Sequence, residues 1–128
     1  MSEGRETTWE EASLDPAALE TLSELVGGDR EMMRDIVGAF LEDAPGRLTD
    51  IADGLANDDA ELVRRAAHTL KGNALTFGAL DLADSCKRLE GAAKDGELSG
   101  AAPIMAEIER TWAAARPVLE SLATTVSP

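Results

Sequence analysis

Residues 29–56 read DREMMRDIVGAFLEDAPGRLTDIADGLA, and whether they form one helix or two sets the architecture. Asp29 is a good N-cap, and Met33, Ile36, Val37, Phe40, Ala44, Leu48, Ile51, Ala52 and Leu55 fall on one stripe at helical spacing. Pro45-Gly46 interrupts the run and ordinarily ends a helix. Because the stripe keeps its phase across the interruption, a single kinked helix is expected over 29–56.

Outward from this segment, the same reading gives four more helices. Asp15-Pro16 is an N-cap followed by a proline at the first helical position, and Leu19, Leu22 and Val26 then recur before Gly27-Gly28, a short helix over 15–26. A helix over 59–76 begins after Asn57-Asp58 and stops near Gly78. The next runs over 79–95, with Leu82, Cys86, Leu89 and Ala93 inward, and ends at Asp95-Gly96. The last, over 102–123, starts beside Pro103, presents Met105, Ile108, Trp112, Ala115, Leu119 and Leu122 inward, and is expected to bend at Pro117. Residues 1–13 (MSEGRETTWEEAS) are acidic and carry only Trp9 as a large apolar side chain, so they read as a flexible tail; 124–128 read as a C-terminal tail. Four long amphipathic helices on short connections predict an all-α, up-down-up-down four-helix bundle over 14–123, with the short first helix capping one end.

Composition agrees. The chain has 128 residues and 13.5 kDa, one domain's worth, with 44% hydrophobic and 29% charged residues, which excludes a disordered or collagen-like chain. Its 22 alanines and 16 leucines far outnumber its five valines, four isoleucines and four aromatic residues, so helix formers dominate strand formers. A net charge of −13 argues against binding nucleic acid or an anionic membrane surface. The single cysteine, Cys86, cannot form an intrachain disulfide, and neither a signal peptide nor a membrane-spanning run is visible, so a cytoplasmic setting is expected.

The only histidine lies in ELVRRAAHTLKGNALTFG, residues 61–78. At about 100° per residue, Leu62, Val63, Ala66, Ala74 and Phe77 cluster within roughly 80° of Leu70 and define a buried face. His68 falls near 160°, outward, where a core histidine would not be. Arg64, Arg65, Lys71, Gly72 and Leu75 share the outward sector. Gly72, one turn after His68, costs up to about 1 kcal/mol relative to alanine in mid-helix, and what it gives in return is clearance over the ring. Residues 64–94 hold six basic side chains (Arg64, Arg65, Lys71, Lys87, Arg88, Lys94) against Asp81, Asp84 and Glu90, a local charge of +3 in a chain whose remainder carries −16. Half of the cations thus surround the single imidazole, which suits an anion or an acidic partner.

Neutral imidazole is a competent nucleophile near neutral pH. A phosphoryl group taken there brings negative charge that Lys71 and Arg64 or Arg65 are expected to offset, and the second ring nitrogen needs an acceptor. Glu90, at the edge of the facing helix, is the candidate; an i to i+4 pair with Lys94 is a second role that does not exclude the first.

His68-Thr69-Leu70-Lys71-Gly72, then Gly78-Ala79, then Leu82, Cys86 and Leu89-Glu90, resemble the signature of histidine-containing phosphotransfer (HPt) domains over roughly residues 14–122. The resemblance implies a four-helix bundle with an extra N-terminal helix. Its exposed histidine, here His68, would accept a phosphoryl group from an aspartyl phosphate on a receiver domain and pass it to another receiver. It implies a phosphate-side role for Lys71, clearance at Gly72, a hydrogen bond from Glu90 to the ring, and a basic position at Lys94; Asn73 departs from a common serine. Thr76-Phe77-Gly78 also resembles the phospho-accepting domain of chemotaxis-type kinases, which leaves the direction of transfer open.

The leading expectation is therefore a phosphorelay intermediary acting as a monomer, a phosphohistidine carrier more than an enzyme. Leu75 with Lys87 and Lys94 would contribute to receiver docking, and any magnesium would sit on the receiver. Two alternatives stand beside it: a substrate of a separate or hybrid histidine kinase, and a non-catalytic helical adaptor. No ATP-binding kinase motif, no metal-ligand set and no nucleophile paired with the histidine is visible.

Overall fold

The computed structural model describes residues 14–124. Five helices follow one another: α1 (Pro16–Leu25), α2 (Arg30–Ala56), α3 (Ala60–Thr76), α4 (Leu80–Lys94) and α5 (Ala102–Thr124). The tails expected at 1–13 and 124–128 lie outside the described residues, except that Thr124 belongs to α5.

Local chemistry explains where these helices start and stop. Asp15 Oδ1 accepts from the Ala17 N–H at 3.1 Å, Asp29 Oδ1 from Glu31 and Met32 at 3.0 and 3.1 Å, and Asp59 Oδ1 from Leu62 at 3.1 Å. At the other ends, α1 to α4 all close with paired backbone bonds around a left-handed residue: Gly27, Asp58, Gly78 and Gly96. After α3, for example, the Ala79 N–H reaches Ala74 O at 2.8 Å and the Gly78 N–H reaches Leu75 O at 3.2 Å. Gly78 is doubly constrained, because a Cβ there would lie 2.7 Å from Asp15 N. The same turn holds α1 in place through the Asp15 N–H, which donates to Gly78 O at 2.7 Å, and through the pairing of Leu14 with Ala79.

α2 runs unbroken through Pro45, as the phase of its stripe implies. Pro45 and Gly46 are on the exposed face, where water can serve the carbonyl that proline's missing N–H leaves free, while Val37, Phe40, Ala44 and Ile51 anchor the opposite face. Short connections at 57–59, 77–79 and 95–101 turn the chain back each time, and α5 returns to pack on α2, closing a four-helix bundle with α1 against α3. Its core is stitched by Phe40, stacked on Phe77 at 5.0 Å and edge-on to Trp112 at 5.4 Å.

Met33, Ile36, Leu48, Leu55 and Leu122 pack on the core only half-buried. Ala52 is exposed because it lies at the margin of the α2 stripe, and Leu62, half-buried in the first turn of α3, does not join the core. Ala67, Ala83 and Ser85 are buried although their types give little hydrophobic signal. α2 and α3 meet closely at Gly54, where a Cβ would stand 2.6 Å from Val63 Cγ2 and 3.1 Å from Asp59 O. Gly54→Ala is therefore expected to lower unfolding free energy by about 1–3 kcal/mol despite alanine's better helix propensity, read from urea denaturation. Among the described residues, no helix is long and apolar enough to cross a membrane.

Candidate functional site

Ala67 and Leu70, both buried, fix the register of α3 and leave His68 outward, its side chain 63% exposed. Across the α3–α4 interface, Leu89 is fully buried, and the next residue, Glu90, emerges at the seam with only 17% of its side chain exposed. Glu90 Oε2 lies 2.8 Å from His68 Nδ1. An ionised carboxylate can only accept, so Nδ1 carries the ring proton and Nε2 keeps a free lone pair. The other carboxylate oxygen, Oε1, takes Lys71 Nζ at 2.9 Å. The hydrogen bond from Lys71 foremost, and then that from His68, hold the Glu90 carboxyl below its ordinary value of 4.5, against partial burial that pushes it up. The pair of Glu90 with Lys94 does not form.

Beneath this trio lies Cys86, one turn before Glu90. Burial first, and then the Glu90 charge, push its thiol up to about 12, so it stays protonated and takes no part as a nucleophile. Among the described residues, no group of three or more His, Cys, Asp or Glu side chains is placed to hold a metal ion.

The remaining expected residues divide. Leu75 is exposed two turns from His68 on the same face of α3, and Lys71, Leu75, Leu80, Ala83, Asp84 and Lys87 line a recess of about 380 Å³ on the α4 side. Lys87 and Lys94 are exposed and make no ion pair among the described residues. Arg64 and Arg65 depart from the expectation that they stand ready for a phosphoryl charge. Both turn back to Glu61, Arg64 through two bonds of 2.7 and 3.1 Å and Arg65 more loosely at 3.7 Å, because Glu61 sits one turn earlier on the same face. Lys71 does not project freely beside the ring either; it is three-quarters buried and reaches the ring only through Glu90.

Gly72 also needs correction. A Cβ at this position would meet nothing within 4 Å, so the chain's own packing does not require glycine and an alanine would not crowd the imidazole. Gly72→Ala is expected to raise the unfolding free energy by up to about 1 kcal/mol, measured by thermal melting, with the His68–Glu90 contact retained. The clearance matters only to something approaching from outside.

Three residues of the site carry no clear signal in the sequence. Leu80 and Leu25, exposed by 47% and 78%, extend the apolar surface around Leu75, which lines a second recess with Leu22 and Leu25. Leu80 is detectable in principle, because it falls out of phase with Leu82, Cys86, Leu89 and Ala93. Arg47, on α2, lines a recess of about 450 Å³ together with Arg64, Arg65, Asp50 and His68. Only the packing of α2 on α3 brings it there.

A helical bundle that displays one carboxylate-held imidazole beside an apolar, lysine-bearing recess has the form of a phosphohistidine carrier. A model of the Hpt domain matches residues 35–117, and the chain belongs to that family; its role is histidine phosphotransfer in two-component signalling. Among solved structures it is similar to histidine-containing phosphotransfer protein B (HptB) from Pseudomonas aeruginosa PAO1, with 31% sequence identity and a TM-score of 0.78, over 88% of this chain and 96% of that one. The comparison with curated proteins found no match.

Proposed function

We propose that the chain is a phosphorelay intermediary in which His68 Nε2 accepts a phosphoryl group from the aspartyl phosphate of one receiver domain and delivers it to the aspartate of another. The Nε2 lone pair forms the N–P bond as the bond between phosphorus and the aspartyl oxygen breaks, and the donor carboxylate leaves with the electron pair. The ring keeps its Nδ1 proton and becomes cationic, and Glu90 offsets that charge at the moment it develops. Return transfer reverses each step. Lys71 holds Glu90 in place.

The observation that carries this reading is the 2.8 Å contact between Nδ1 and Glu90 on a ring that is otherwise exposed. Leu75, Leu80 and Leu25 offer the docking contact, with Lys87 at its rim, and Lys94, one turn beyond Glu90 on α4, adds positive charge for an acidic partner. Magnesium is expected on the receiver, the chain is expected to work as a monomer because its bundle faces close on one another, and the cytoplasm is the expected setting.

The test is incubation with phosphorylated receivers and with kinases plus ATP, followed by mass spectrometry. Receiver-dependent phosphorylation at His68 supports the proposal. Labelling by a kinase alone makes the chain a direct kinase substrate, and a phosphoryl group at another residue removes His68 from the mechanism.

A further inference from the structure

His68 lines a recess on its α2 side, and a second recess of different composition begins at Lys71, on the α4 side. On the α4 side the walls are Leu75, Leu80 and Ala83 with Lys71, Lys87 and Asp84; on the α2 side Arg47, Arg64 and Arg65 surround about 450 Å³ with Asp50, Leu62, Ala66 and Thr69. The proposed transfer makes no use of the α2-side recess. Its guanidiniums are not equivalent. Arg64 spends both Nε and Nη2 on Glu61, whereas Arg47 gives only Nε to Asp43, at 3.0 Å, and Arg65 makes only a loose contact through Nε. Neither Asp43 nor Glu61 lines the recess. Among the described residues, the Nη groups of Arg47 and Arg65 and the Thr69 hydroxyl take no partner.

Building on the relay reading above, we propose that this recess captures a carboxylate side chain of the docked receiver, with Arg47 as its anchor and Arg65 assisting. A guanidinium fork matches a planar carboxylate through two parallel hydrogen bonds, which a lysine cannot do. Arg47 is suited to the anchoring role because it is half-buried and its guanidinium is already oriented through Nε by Asp43, so little side-chain freedom is lost on binding. Its origin on α2 matters as well. A receiver gripped only by the leucines and lysines of α3 and α4 could pivot about the imidazole, and a contact on the opposite flank fixes its orientation for in-line transfer. Asp50 is the one carboxylate in the recess, and it opposes the incoming charge. Arg47 is thus a specificity-determining residue: it selects receivers that carry an acidic group at the matching position.

The test compares single variants in two assays, transfer from a phosphorylated receiver and labelling of His68 by phosphoramidate, a small donor that needs no docking. Arg47→Gln is expected to raise KM for the receiver about tenfold with kcat little changed, and to flatten the dependence of KM on salt. Arg65→Gln should do so more weakly, and Asp50→Asn should shift KM the opposite way. Arg34→Gln changes net charge equally on α2 outside the recess and should leave KM unaltered. Phosphoramidate labelling should be the same in all, and matching thermal melts show that each variant is folded. If wild type accepts phosphoryl from receivers and Arg47→Gln has an unchanged KM, the inference falls while the relay reading stands. If Arg47→Gln slows phosphoramidate labelling, the arginine serves the phosphoryl group itself and the carboxylate assignment is overturned. If no receiver labels wild type, the relay reading fails and takes this inference with it.

Discussion

His68→Gln is expected to abolish phosphoryl acceptance from receivers while leaving the bundle intact. Glutamine keeps a polar side chain of similar reach but has no ring nitrogen with a nucleophilic lone pair, so no N–P bond can form. The ring is mostly exposed, so the change in unfolding free energy should stay within about 0.5 kcal/mol. Radiolabel transfer and a thermal melt on the same sample separate the two effects. A variant that melts normally yet still labels fully would show that another atom carries the phosphoryl group.

Glu90→Ala carries the second large effect. Its carboxylate serves two cations at once, and its loss frees the tautomer of His68, removes the charge that offsets the developing imidazolium, and strands a three-quarters-buried Lys71 ammonium. The transfer rate is expected to fall about a hundredfold, in the range for positioned proton and charge partners, with phosphoramidate labelling falling in parallel because the defect is chemical and not one of docking. Glu90→Gln should recover part of this, since an amide oxygen still accepts from Nδ1. The pH behaviour follows from the direction of the Glu90 shift. A carboxyl held lower in the folded chain contributes stability that is fully present above 4.5 and is lost as pH falls through its folded value. Glu90→Gln should therefore flatten the fall in unfolding free energy below pH 4.5 and change its pH slope little above it.

Much of this architecture is legible in the residues because helix phase is a local property. The stripe through Phe40, Ala44 and Ile51 settles the question raised by Pro45, and the caps Asp15 and Asp29 announce two starts that the structure places within a residue. His68 is readable for the same reason: its angle from Leu70 follows from α3 alone. Properties that need two helices are harder to see. Glu90 was reachable because both helices carry strong stripes that fix how they face each other. Helix phase puts Lys71 on the right face but names no partner for it, since a flexible side chain chooses among nearby carboxylates only once packing is set. Arg64 and Arg65 share the outward sector with His68, and their pairing with Glu61 emerges only when the side chains are placed. Arg47 left no trace, because nothing in residues 29–56 says which exposed side chains of α2 will overlook α3.

Cys86 has a use outside signalling. Sealed under the site and protonated at physiological pH, the lone sulfur is shielded from alkylating reagents for as long as α4 stays docked, and it becomes reactive when the bundle opens. The rate at which iodoacetamide consumes it is thus a built-in clock of conformational opening directly below the imidazole, readable without adding any label to the chain.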